Sequence, residues 1–245
     1  MNAYTQVLSD RFEVSIPPPP AGISLIEWEA RLELAACYRI VACYGWTSIV
    51  YNHITLRIPD TPYFLINPFG MRYEEIRASD LIKTDIEGNR LSKSEWPINK
   101  AGYVIHSTVH RYRSDLHCVL HTHEPISQAL CALDHEVIPV TQEGCQFYER
   151  IGYHDYEGIV LDGSEGPKIA RALGEKNHTL VLKNHGLLTA GADCAWALIR
   201  HQAFIRNAQV QLQVMSSGQI NFIREDVMIK TREQFESGAA QAGAK

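Results

Sequence analysis

An α/β layered domain is what the sequence predicts, and three observations carry that prediction. Segments with helical spacing of apolar residues alternate with short apolar runs, and the alternation fills one compact length. Of the 245 residues 45% are hydrophobic and 21% charged, ordinary values for a chain with a sizeable core. The length fits one large domain better than two. A net charge of −5 gives no global reason to expect nucleic acid or an anionic membrane as partner. The longest uncharged apolar runs fall far short of the ~18 residues that span a bilayer.

Residues 1–23 read as an extended N-terminal arm, since Pro17 to Pro20 favour a polyproline conformation. The arm lacks the basic start and apolar stretch of a signal peptide, so a cytoplasmic location is expected. Six cysteines without CxxC spacing, most in apolar context, read as buried free thiols.

The domain is expected over 24–220. It begins with a helix in "SLIEWEARLELAACYRIVACYGW", where Leu34, Cys37, Tyr38, Val41 and Ala42 have helical spacing and Gly45 supplies a stop. "YNHITLRIP" alternates like a strand, "YFLINPFG" is a second strand ended by Pro68 and Gly70, and "SDLIKTDIEGNRL" is a strand and turn. "INKAGYVIHSTVHRYR" reads as a helix with Ala101, Val104, Ile105, Thr108 and Val109 on its packing side. "LHCVLHTH" suits a buried strand, "GPKIARALGEKN" a helix, "TLVLKNHGLLTAG" a strand–turn–strand, and "DCAWALIRHQAFIRNAQVQLQVM" a long amphipathic helix. Residues 141–158 read as a loop, and 221–245 as a C-terminal segment with a frayed end.

Chemistry enters with His121 and His123. Two residues apart in a strand, they share one face, which lets two imidazoles meet one cation at ~2.0–2.1 Å. A third ligand must come from elsewhere. The best candidate is His185, where a strand runs into a turn and Gly186 permits close backbone approach. Three neutral imidazoles with an open position suit catalytic zinc or a comparable divalent ion. His117, His135, His178 and His201 read as surface or internally satisfied histidines. His106 and His110 stand at i, i+4 on one helix face and fit supporting or packing roles.

In this order, "YNHITLRIP", "FLINPFGMRYEEIRASDLIKTDIEGN", "AGYVIHSTVHRYRSDLHCVLHTH" and "LVLKNHGLLTAG" resemble the class II aldolase/adducin family across about residues 24–215. The resemblance implies a single three-layer α/β domain, with a central mixed, mainly antiparallel sheet flanked by helices. It implies His121, His123 and His185 as ligands of a divalent metal, zinc first and manganese, cobalt or iron as alternatives. It also implies a homo-oligomer, a tetramer by preference.

The sequence departs from the family's sugar-phosphate aldolases at their acid/base glutamate, whose place Gly102 occupies, and Glu95 lies seven residues too early. The phosphate-cradling positions are altered as well. Asn52-His53-Ile54-Thr55 stands for Gly-Asn-x-Ser, Phe69-Gly70 for Thr-Gly, and Lys100-Ala101 for Ser-Ser. An unphosphorylated oxo, hydroxy or aromatic acid therefore suits the site better, with His53, Arg57, Phe69, Gly70 and Lys100 as substrate-binding candidates. Arg57 reads equally well as a surface charge at a strand end. The segment 141–158 resembles the adducin-like branch and offers Glu143, Tyr148, Tyr153, His154 and Tyr156 as proton carriers, with Tyr148 and His154 leading.

The expected function is a metal-dependent aldolase or decarboxylase acting on such an acid. Two alternatives stand beside it. One is a non-enzymatic scaffold like the adducin head, against which count the intact ligand set and the lack of a neck and basic tail after residue 245. The other is a non-haem iron oxygenase.

Overall fold

Ser24 sets the start of the first helix by accepting a hydrogen bond from the Glu27 amide at 3.2 Å. In the computed structural model, which describes residues 16–160 and 163–238, this helix is α1 (Leu25–Cys43). Its buried stripe includes Trp28, Leu34, Cys37, Tyr38 and Val41. Gly45, at φ 71°, ends it: the Gly45 and Trp46 amides return to the Ala42 and Val41 carbonyls.

Among the described residues seven strands follow: β1 (His53–Arg57), β2 (Phe64–Ile66), β3 (Ile82–Thr84), β4 (Cys118–Thr122), β5 (Ile151–His154), β6 (Thr179–Leu182) and β7 (Gly186–Gly191). They form one sheet in the order β3-β2-β1-β4-β7-β6-β5. Every neighbouring pair is antiparallel except β5 with β6. The other helices are α2 (Lys100–Tyr112), α3 (Pro125–Cys131), α4 (Gly166–Leu173), α5 (Cys194–Ser217) and α6 (Glu225–Glu236).

Strand alternation divides the core. Ile54, Leu56, Cys118 and Leu120 pack with α1 and α5 on one face of the sheet. Val119, Leu180, Leu182 and Leu188 pack with Ile105 and Val109 of α2, and with Ile169 and Leu173 of α4, on the other. The result is the expected three-layer domain with a mixed, mainly antiparallel sheet. Because His53 and Thr55 alternate with Ile54, and His121 with Leu120, these polar groups face α2.

Some elements differ from expectation. The buried stripe of α2 runs through Gly102, Ile105, His106, Val109 and His110, while Ala101 and Val104 are only partly covered. Polar histidines at packing positions hid that register. Segment 141–158 is not a plain loop: it contains a 3-10 turn (Glu143–Phe147) and β5. Segment 221–245 contains α6, tied back by Tyr148 to Glu225, Arg232 to Glu149 and Arg150 to Glu236. Most of the expected arm, residues 1–15, and the tail 239–245 lie outside the described residues. Five cysteines are buried, Cys43 is exposed, and all six are free thiols. Among the described residues no helix is long and apolar enough to cross a membrane.

Candidate metal centre

His121 lies near the end of β4 and is fully buried, and its Nδ1 stands 2.9 Å from the Leu187 carbonyl. A carbonyl only accepts, so the ring proton sits on Nδ1 and Nε2 is left bare. That Nε2 stands 2.9 Å from Nε2 of His123. His123 has just left the strand, and its backbone is held by its amide donating to Asn52 Oδ1 at 3.1 Å. Asn52 is itself anchored by donating to the Trp46 carbonyl.

The third histidine arrives on the β6–β7 turn. Asn184 takes a left-handed φ of 57°, a conformation asparagine tolerates, and its amide donates to the Cys131 carbonyl. The His185 carbonyl accepts from Gln128 Nε2 at 2.9 Å, fixing the turn against α3. Ring centroids of His185 lie 4.8 Å from His121 and 4.9 Å from His123. Ligand atoms of the three all fall within 4.8 Å of one another. Gly186 makes this approach possible: a Cβ there would meet the Thr122 carbonyl oxygen at 2.5 Å, His123 Cδ2 at 3.1 Å and His121 Cε1 at 3.2 Å.

Electrostatics point the same way. Burial, then the neighbouring His185, His53 and His123, push His121 well below the usual histidine range. Burial lowers His123, and burial with His123 and His154 lowers His185 to about 4. All three rings are therefore neutral near pH 7. His121 Nε2 and His123 Nε2 can share a proton at 2.9 Å, and with His185 the three neutral rings offer one nitrogen each to a common point, the donor chemistry a divalent cation takes. The donor set thus fits a divalent metal of the zinc class.

The other sequence candidates divide. His53 is paired with His121 across the β1–β4 ladder and its ring lies 4.9 Å from that of His121. Its ring fills the space a side chain at residue 102 would need, since a Cβ on Gly102 would lie 2.3 Å from His53 Cδ2. His154 closes β5, with Nε2 2.7 Å from Glu165 Oε1, and shares a small cavity with Glu165, Tyr156, Lys183 and His185. Tyr148 instead donates to Glu225 of α6 at 2.9 Å, which commits its proton there. Arg57 sits at the far end of β1 from His53 and donates to the His110 carbonyl at 2.6 Å.

Phe69 is half-buried on the loop after β2, with its amide on the Pro97 carbonyl. Gly70, at φ 113°, lies against the Trp96 ring, and Lys100 is exposed at the first turn of α2. Sequence reasoning did not single out Asn52, Thr55 or Glu165. The alternation of His53 and Thr55 on one strand, with His106 and His110 four residues apart on a helix, is a signal that could have found Thr55. Asn52 and Glu165 had no comparable signal.

With this geometry established, known proteins give a consistent picture. A family model described as the Class II Aldolase and Adducin N-terminal domain matches residues 32–212. A protein of Pseudomonas aeruginosa bearing an aldolase class 2 name is 41% identical over 198 residues, 81% of this chain and 76% of its own length. Alpha-adducin of Rattus norvegicus is 34% identical over 190 residues, 76% of this chain but only 26% of the adducin. The solved L-fuculose 1-phosphate aldolase from Glaciozyma antarctica superposes with a TM-score of 0.78 at 30% identity, covering 89% of this chain and 86% of that one. The chain belongs to the class II aldolase and adducin N-terminal domain family.

Proposed function

We propose that this protein is a divalent-metal-dependent carbon–carbon lyase, of aldolase or decarboxylase type, acting on a small unphosphorylated oxo, hydroxy or aromatic acid. The observation that carries the reading is the convergence of three neutral imidazoles, His121, His123 and His185, on one point. A bound divalent ion, zinc first with manganese, cobalt or iron as alternatives, would polarise a carbonyl or hold an enolate oxygen. The chain's own contribution is to keep the three rings neutral, turned inward and locked by the Leu187 carbonyl, Asn52 and Gln128.

His154 is the better-placed proton carrier of the two leading candidates. Glu165 holds a proton on its Nε2, which leaves Nδ1 as the exchanging atom in a cavity shared with His185. His53, Phe69 and Ala101 stand where the resemblance puts the phosphate-cradling residues of the family's aldolases, so sugar phosphates are expected to be poor substrates, with Phe69, Gly70, His53 and Lys100 lining the site for an unphosphorylated acid. The proposal includes a cytoplasmic homo-oligomer, a tetramer by preference, with no nucleic-acid or membrane partner.

A second reading, a non-enzymatic module like the adducin head, is favoured by the 34% identity to alpha-adducin over 76% of this chain and by Gly102. Elemental analysis of the purified protein separates them. Zinc, manganese or cobalt at one per chain supports the lyase, iron with oxygen uptake supports an oxygenase, and no metal supports the scaffold. With metal present, His154→Ala should lower kcat on an accepted oxo acid by at least about tenfold without changing metal content. Cleavage of fuculose- or ribulose-type phosphates above ~10⁴ M⁻¹s⁻¹, the low end of ordinary enzyme efficiency, would overturn the substrate class.

A further inference from the structure

Behind the metal centre, on the face of the sheet that α5 covers, a polar group is sealed from solvent. His201 of α5, Thr122 of β4 and Thr189 of β7 are each 0% exposed. His201 Nε2 stands 2.7 Å from Thr122 Oγ1, and its Nδ1 stands 3.0 Å from Thr189 Oγ1. Thr189 Oγ1 in turn donates to the Ala197 carbonyl at 3.0 Å. Thr122 lies between His121 and His123 and, by strand parity, faces away from them.

These distances admit one proton arrangement. A carbonyl only accepts, so the single Thr189 proton lies toward Ala197, and the Thr189 oxygen must accept from His201 Nδ1. Burial holds His201 at about 3, so the ring is neutral and its Nε2 is bare. Thr122 then donates to that Nε2. Three protons meet three acceptors in one direction, from Thr122 through His201 and Thr189 to a backbone carbonyl. The reverse direction fails at both ends. It leaves the buried Thr122 proton with no acceptor among the described residues, and it sets two oxygens 3.0 Å apart at Ala197 with no proton between them.

The group reaches the ligand histidines by two routes. Thr122 is the last residue of β4, so its hydroxyl bond fixes the strand where His123 leaves it. Thr122 also pairs with Leu187 of β7, just beyond His185. The second route runs through Trp46, whose ring lies 5.4 Å from that of His201 between centroids. The Trp46 carbonyl accepts from Asn52, whose Oδ1 accepts from the His123 amide. Both routes end on the backbone that carries the ligand rings.

We propose that His201 is a positioning residue of the metal centre: with its proton on Nδ1 it holds Thr122 from behind the sheet, ties β4 to β7, and keeps the three ligand histidines at the spacing one ion needs. The positioning role rests on the metal-dependent reading; the proton arrangement does not.

The test reads zinc affinity by competitive titration of the full protein, beside the visible spectrum of its cobalt(II)-loaded form. Thr122→Val keeps the shape of the side chain and removes the donor. It should weaken zinc binding about 10–100-fold and alter the cobalt spectrum, and Thr122→Ser, which keeps the hydroxyl, should restore both. Ile169→Val, in the core on the opposite face of the sheet, should leave both unchanged. If Thr122→Val does not fold, His201→Asn should show the same loss, since it keeps a donor toward Thr189 but falls short of Thr122. In the metal-free protein labelled with ¹⁵N-histidine, long-range proton–nitrogen correlation should place the His201 proton on Nδ1. A proton on Nε2 overturns the proposal with no variant needed. Unchanged zinc affinity and cobalt spectrum in a folded Thr122→Val would do the same, as would an equal loss in Ile169→Val. An unmodified protein that binds no zinc would instead refute the metal-dependent reading, and the positioning role with it, while the His201 proton stays on Nδ1.

Discussion

Replacing Gly186 with alanine tests the metal centre through sterics alone. Its φ is not in the left-handed region, so the backbone itself accepts a Cβ. The obstacle is what that Cβ would meet: the Thr122 carbonyl oxygen at 2.5 Å, well inside the 3.4 Å where ordinary contact begins, and two ligand rings at 3.1 and 3.2 Å. The Thr122 oxygen belongs to β4, where Thr122 pairs with Leu187 of β7, so it cannot move without parting the strands that bring His121 and His185 together. Overpacking of this kind costs about 1–3 kcal/mol, and at about 2–4 °C per kcal/mol for a chain near this size the Tm should fall by roughly 5 °C. The displaced ligand rings should lose metal affinity by about 10–100-fold, as changes around a metal's ligands commonly do. Calorimetry of the metal-free protein reads the first effect, and competitive zinc titration reads the second. Gly163→Ala, with nothing within 4 Å of its Cβ, is the control. Wild-type Tm together with wild-type zinc affinity in Gly186→Ala would refute the reasoning.

Alanine at His121, His123 or His185 should strip zinc from the protein, whereas His135→Ala, at an exposed position, should not; equal zinc in His185→Ala, measured by mass spectrometry, would remove it from the ligand set. Gly102→Ala should destabilise by about 1–3 kcal/mol through its clash with His53, and adding His53→Ala should relieve part of that cost. Strict additivity in denaturant melts would show that the two residues do not compete for space. His53, His110 and His201 are each held at about 3 by burial, against 6.5 normally, so the unfolded chain takes up protons that the folded chain refuses. Their stabilising contribution is complete above pH 6.5 and is lost as the pH falls toward 3, with a slope approaching about 1.4 kcal/mol per pH unit per histidine. Full stability at pH 4 by circular dichroism would contradict this.

The fold was legible wherever periodicity matched burial. Leu34, Cys37, Tyr38 and Val41 repeat at helical spacing and are all buried in α1, and the parity of His121 and His123 anticipated their meeting. The same rule failed on α2, because His106 and His110 occupy core positions while carrying polar labels; their burial depends on partners across the sheet. β5 was hidden for another reason. It is a four-residue edge strand, and its Gly152 is explained only by α4, whose Ala172 carbonyl oxygen would lie 2.0 Å from a Cβ there. The commitment of Tyr148 to Glu225 and of Arg57 to the His110 carbonyl was equally invisible, since each bond joins residues far apart in the sequence.

The position of His185 on the β6–β7 turn, facing His121 and His123 on β4, gives a bound ion a mechanical role as well as a chemical one. It would cross-link two stretches of chain separated by α3, the 3-10 turn, β5, α4 and β6. A site assembled from such distant stretches exists only in the folded chain, so the ion would bind the folded state and not the unfolded one. Folding and ion uptake are then one linked equilibrium. Each tenfold rise in free zinc above its dissociation constant adds about 1.4 kcal/mol to the folded state. A cell's free-zinc level would thereby set how much of this protein survives quality control, independently of turnover.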